Sequence, residues 1–148
     1  MRNKVVYEFL DDNGIAVAIG MGSLSRFNTL EHVRKTGKIS SKIHNKITMV
    51  LLLNFRMSRP GRIIAEGLTK EEAEVMERDL HSKRGGNVGS CRDLMIARLD
   101  ELGITNEEDR WMFLNWAKHG DQLSTGRLES DIPPRIKALI IKVLGDIF

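Results

Sequence analysis

Two apolar runs of strand composition open the chain, residues 5–10 (VVYEFL) and 15–19 (IAVAI), separated by Asp11-Asp12-Asn13-Gly14. Asn-Gly between β-forming residues is the strongest short-range hairpin signal, because both residues tolerate positive φ. At a repeat of two, Val5, Tyr7 and Phe9 share one face and Val6, Glu8 and Leu10 the other. The second run leads into Gly20-Met21-Gly22, read as a turn whose missing side chains let a phosphate or another backbone approach. A phenol from one strand and bare backbone from the next then edge one concavity.

Asn28-Thr29-Leu30-Glu31 reads as a helix start, with Asn28 as cap and Glu31 reaching back to it, and the helix ends by Gly37. This puts Arg26 in the entry loop and His32 in the first helical turn, both toward the end of the hairpin. Residues 42–57 (KIHNKITMVLLLNFRM) carry helical spacing at Ile43, Ile47, Val50, Leu51 and Asn54, although their apolar centre also suits a buried strand. Length favours a helix, capped by Ser40 or Ser41. Residues 58–61 form a turn and 62–68 (RIIAEGL) a short strand.

Thr69 with Glu72 forms a capping box that starts the next helix. Its apolar stripe, Ala73, Met76 and Leu80, includes or borders Glu77, while Glu71, Glu74, Arg78 and Asp79 point away. A carboxylate beside a core stripe is either a paired structural charge or a ligand. After a glycine-rich loop at 83–89 come three helical patterns, at 92–102, 107–118 and 134–147, with Asn106 capping the second and Pro133-Pro134 opening the third. Trp111, Phe113, Leu114 and Trp116 are expected to pack these helices onto the core.

Length and composition change this picture little: 148 residues, 41% hydrophobic and 29% charged, suit one globular domain with or without an appendage. No apolar run approaches a membrane span, and the first residues lack a secretory core. The single cysteine, Cys91, rules out an intrachain disulfide and points to a reducing compartment, the cytoplasm or another intracellular one. The four histidines do not fall at zinc-ligand spacing.

Charge changes more. Residues 1–92 hold 16 Lys/Arg against 10 Asp/Glu, net +6, whereas 93–148 hold 7 against 10, net −3. Within 26–62 nine basic residues (Arg26, Arg34, Lys35, Lys38, Lys42, Lys46, Arg56, Arg59, Arg62) face one acid, Glu31. A run this one-sided is the electrostatic footprint of a polyanion partner or a solvated face balanced elsewhere.

The order of hairpin, glycines, Arg26, His32, helices, strand and Glu77-bearing helix resembles the GIY-YIG nuclease superfamily over residues 4 to about 90. Tyr7 in VVYEF matches the tyrosine that ends the first motif, and Ala18-Ile19-Gly20 stands where the second motif ends Tyr-Ile-Gly. Arg26, six residues after Gly20, and His32 match the arginine and histidine that follow. The most specific phrase is GLTKEEAEVME at 67–77, which matches the one carrying the metal-binding glutamate; Asn87 aligns weakly with a later asparagine. Ala18 replaces the second tyrosine, Met21 replaces the usual lysine, and two extra residues separate Arg26 from His32.

The resemblance implies an α+β fold, a small three-stranded antiparallel sheet flanked by helices over residues 1–90, followed by a helical extension over 91–148. It implies a divalent-metal-dependent endonuclease acting on DNA rather than RNA. Tyr7 would serve as general base or water-orienting group, with Arg26 or Lys4 lowering its pKa, and Arg26 would grip the phosphate. His32 would be a second proton-transfer group, and Glu77 would hold Mg²⁺ or Mn²⁺. Lys4, Arg34, Lys35, Lys38, Lys42, Lys46, Arg59 and Arg62 would track the nucleic-acid backbone. The alternatives are a nucleic-acid-binding module that has lost catalysis, for which Ala18 and Met21 speak, and a protein-interaction subunit acting through its C-terminal helices. Those helices complete the core, mediate homodimerisation or shield the site.

Overall fold

The hairpin forms with the expected pairing and is longer than the hydrophobic pattern indicates. Strand β1 (Lys4–Leu10) pairs antiparallel with β2 (Ala16–Gly22), so that Tyr7 lies opposite Gly20, Phe9 opposite Ala18 and Val5 opposite Gly22. The glycines therefore continue the ladder and do not form a turn. Asp11 organises the real turn: its carboxylate accepts from the N–H groups of Asn13 and Ile15, both at 2.9 Å, and Gly14 adopts φ 81°. In this computed structural model the described residues are 1–38, 57–84, 91–118 and 133–147. The helix expected over 42–57, its serine caps, Arg56, and the glycine loop from 85 with Asn87 lie outside them.

Helix α1 (Leu24–Thr36) begins five residues earlier than the sequence suggests. Ser23 is its cap, accepting from the Arg26 N–H at 3.1 Å, and Asn28 stands exposed inside the helix. The earlier start is what lets Phe27 and Leu30, three residues apart, face the sheet together. Glu31 closes no capping box. Its carboxylate accepts from Gly61 N at 2.6 Å and from Arg34 Nε at 2.7 Å, while Arg34 Nη1 donates to the Met57 carbonyl. One carboxylate thus ties α1 to the chain entering β3 (Arg62–Leu68).

β3 adds to the other side of β1, giving a three-stranded antiparallel sheet in the order β2-β1-β3. Helix α2 (Lys70–Arg84) starts with the expected capping box, Glu72 N to Thr69 Oγ1 and Thr69 N to Glu72 Oε1, both 3.1 Å. It packs on β2 and β1. Helices α3 (Cys91–Glu101), α4 (Glu107–Lys118) and α5 (Pro134–Leu144) follow, Asn106 capping α4 by accepting from Asp109 N at 3.0 Å. Gly145, at φ 82°, ends α5 short of residue 147. The architecture is α+β, with five helices among the described residues, none long and apolar enough to cross a membrane.

A single apolar cluster joins both halves of the chain. It runs from Val5, Tyr7, Phe9, Phe27 and Leu30 to Met95, Leu99, Phe113, Ile140 and Val143, so the C-terminal helices share the core of the sheet. Phe113 and Trp116 are buried as expected; Trp111 is not, and stands 64% exposed because it lies on the face of α4 away from that cluster.

Two substitutions test this anchorage. A Cβ at Gly61 would meet Phe9 Cε1 at 2.6 Å and Phe27 Cε2 at 2.9 Å, both on packed rings that cannot yield. Gly61→Ala should therefore destabilise the fold by about 1–3 kcal/mol. Glu31→Ala leaves the buried Arg34 charge, 7% exposed, without its carboxylate, and should cost about 3–5 kcal/mol. Urea denaturation midpoints check both; an unchanged midpoint for either refutes the anchor.

Candidate active site

Tyr7 sits at the middle of β1, between Gly20 of β2 and Ile63 of β3. The bare Gly20 and small Ala18 leave room for the β1 aromatics, and Phe27 of α1 fills the remaining space. The Tyr7 and Phe27 ring centroids are 5.5 Å apart, and those of Tyr7 and Phe9 5.9 Å apart in an edge-to-face arrangement. Tyr7 is fully buried, and its hydroxyl has no hydrogen-bond partner among the described residues.

Arg26 occupies the first turn of α1 and not an entry loop. Its aliphatic stem lies on Gly22, where a Cβ would come within 2.9 Å of Arg26 Cδ. The glycine thus makes room for an arginine of this chain and not for an approaching phosphate. The guanidinium lies beside the Tyr7 hydroxyl, but Tyr7 Oη and Arg26 Nε are both buried without a well-formed hydrogen bond, so the contact is one of charge and dipole.

Glu77, half-buried on α2, completes the group. Burial pushes its carboxyl above the ordinary 4.5; His81 pulls it back, Glu74 pushes it further up, and Arg26 and the Met21 backbone N–H pull it down. Tyr7, Arg26 and Glu77, far apart in sequence, thus lie near one another, with Arg26 acting on both of the other groups. Burial also drives the Tyr7 hydroxyl above the ordinary 10.0, against the opposing pull of Arg26 and with a smaller push from Glu77. The expected lowering of the phenol by neighbouring cations is reversed, because desolvation outweighs them.

His32 does not join this group. It is exposed on α1, six residues and hence about 120° around the helix from Arg26. Of the six described basic residues between 26 and 62, four are engaged within the fold. Arg34 is buried against Glu31 and Met57, which removes it from any backbone-tracking surface. Arg62 pairs with the fully buried carboxylate of Glu8, Lys38 pairs with Asp146 at 3.1 Å, and Arg59 donates to the Asp12 carbonyl at 3.2 Å. Lys35 is exposed and Lys4 half-buried, while Lys42 and Lys46 lie outside the described residues.

The donor set suits an open, water-rich divalent site. Glu77 offers a hard oxygen, 32% exposed, whose ion pair among the described residues is with His81 and not with Lys or Arg. No group of three or more His, Cys, Asp or Glu side chains gathers among the described residues, as a closed structural site would need. His81, one turn beyond Glu77, is the neighbour that motif reasoning overlooked; the i, i+4 spacing in the sequence was its only signal.

Two titrations follow. Because Tyr7 is the chain's single tyrosine, its phenolate absorbance reports this site alone. The midpoint should lie above 10 and rise further in Arg26→Ala. Stability should be full below pH 10 and fall as pH rises through the folded-state midpoint, since the folded state holds the proton longer. Likewise, raising the folded Glu77 pKa contributes stability below the unfolded value that is lost as pH climbs past the folded one. Glu77→Gln should therefore raise the melting temperature at pH 7, whereas a paired structural carboxylate would lower it. Comparison with protein-family models, with curated proteins and with solved structures finds no match to this chain.

Proposed function

We propose that the chain is a divalent-metal-dependent endonuclease of the GIY-YIG superfamily that hydrolyses phosphodiester bonds in DNA. The observation that carries this reading is the meeting of a phenol, a guanidinium and a carboxylate, from β1, α1 and α2, around one junction. Arg26 Nε lacks a hydrogen-bond partner, and a planar guanidinium is suited to binding a phosphate and stabilising charge that builds on its oxygens. The Tyr7 hydroxyl lies beside that guanidinium. At neutral pH it is a neutral phenol, so its role is to orient the attacking water and not to remove its proton. Glu77 would hold the divalent ion, which would supply Lewis-acid stabilisation of the charge that builds during hydrolysis.

A second reading, a nucleic-acid-binding module of the same fold without catalysis, is favoured by one observation: the Tyr7 hydroxyl is sealed in the core. Ala18, buried opposite Phe9, and Met21, which meets Glu77 through its backbone N–H, contribute no catalytic side chain.

Incubation of supercoiled plasmid with protein and Mg²⁺ or Mn²⁺ separates the two. The nuclease reading expects nicking that falls about 10²–10³-fold in Arg26→Ala and is lost in Glu77→Ala. Plasmid left intact under every divalent ion, with DNA binding that weakens steeply with salt, would establish the binder instead.

A further inference from the structure

We propose that His81 is a second metal-ligating residue beside Glu77, so that the site takes a first-row transition ion such as Mn²⁺ or Co²⁺ in preference to Mg²⁺. The inference rests on the reading of Glu77 as a metal ligand and specifies the class of ion.

Glu77 and His81 stand one helical turn apart on α2, with His81 Nε2 3.9 Å from Glu77 Oε1. Ligand bonds of about 2.1 Å place cis donor atoms of an octahedral site about 3.0 Å apart, so a side-chain rotation is needed to close the pair on an ion. Both side chains keep an open flank, 28% exposed for His81 and 32% for Glu77, through which waters or a phosphate can supply the remaining ligands. Of the neighbouring acids on the helix, Glu74 pairs with Lys70 at 3.9 Å and Asp79 with Lys83 at 3.0 Å, so His81 is paired with Glu77 and with neither of them. A lone carboxylate suits Mg²⁺, which retains its waters and prefers oxygen. An imidazole beside that carboxylate shifts preference toward ions that accept nitrogen.

Isothermal calorimetry on the full chain, without DNA, measures the two arms. The wild type should bind Mn²⁺ and Co²⁺ about tenfold more tightly than His81→Ala does, while weak Mg²⁺ binding stays equal in the two proteins. Glu77→Ala should lose all three ions. Equal Mn²⁺ and Co²⁺ affinities in wild type and His81→Ala, or no binding of either by the wild type, overturns the assignment. A direct readout needs no substitution in the measured protein: substoichiometric Mn²⁺ should broaden the wild-type imidazole resonance that is missing from His81→Gln. Absence of broadening refutes the proposal even if His81→Ala fails to fold. Because binding is measured without DNA, failure to nick plasmid with binding intact rejects the nuclease reading alone. Nicking that depends on Glu77 with no contribution from His81 to binding rejects only the second ligand.

Discussion

Everything around the candidate site depends on where α1 lies, and a half-buried carboxylate holds it there. Glu31 accepts from the Gly61 backbone and from Arg34, and Arg34 in turn donates to Met57. Two segments 30 residues apart in sequence are thereby joined through charge-assisted hydrogen bonds in a water-poor setting, where breaking one partner leaves the other stranded. Gly61 must be bare for the contact to form, since Phe9, Phe27 and Glu31 crowd its Cα. With the helix held in place, Phe27 covers Tyr7 and Arg26 lies along Gly22.

The small residues of β2 complement the large ones of β1. Ala18, Gly20 and Gly22 stand opposite Phe9, Tyr7 and Val5, and the volume they omit is what aromatic rings and an arginine stem occupy. That packing has an electrostatic consequence. A tyrosine and a glutamate are placed where burial disfavours the charged form of both, and Arg26 opposes that shift in each. Perturbed groups that converge in this way mark functional sites more often than ordinary surface charge does.

The basic surplus has a different meaning in the fold from the one it carries in the chain. Of the residues that make positions 26–62 so one-sided, Arg34, Lys38 and Arg62 pair with Glu31, Asp146 and Glu8, and Arg59 bonds to the Asp12 carbonyl. Lys38 reaches an acid 108 residues away, which brings the basic first half and acidic last half into contact. A footprint for a polyanion and an internal charge balance have the same linear pattern, and only proximity separates them.

Local chemistry was enough to determine the hairpin with its Tyr7 face, β3, the Thr69–Glu72 capping box and the Asn106 cap, because each is settled by residues within a few positions of one another. Where a local signal had a long-range competitor, it lost: the Asn28 cap yielded to Ser23 once Phe27 and Leu30 had to face the sheet, and Glu31 left its own helix end for Gly61. The candidate site divides in the same way. Motif order named Tyr7, Arg26 and Glu77 as candidates, whereas the exposure of His32, the burial of Arg34 and the upward shift of the Tyr7 hydroxyl were not legible in it. Those three properties depend on which atoms surround a side chain, and desolvation by distant neighbours is a quantity that no linear spacing encodes.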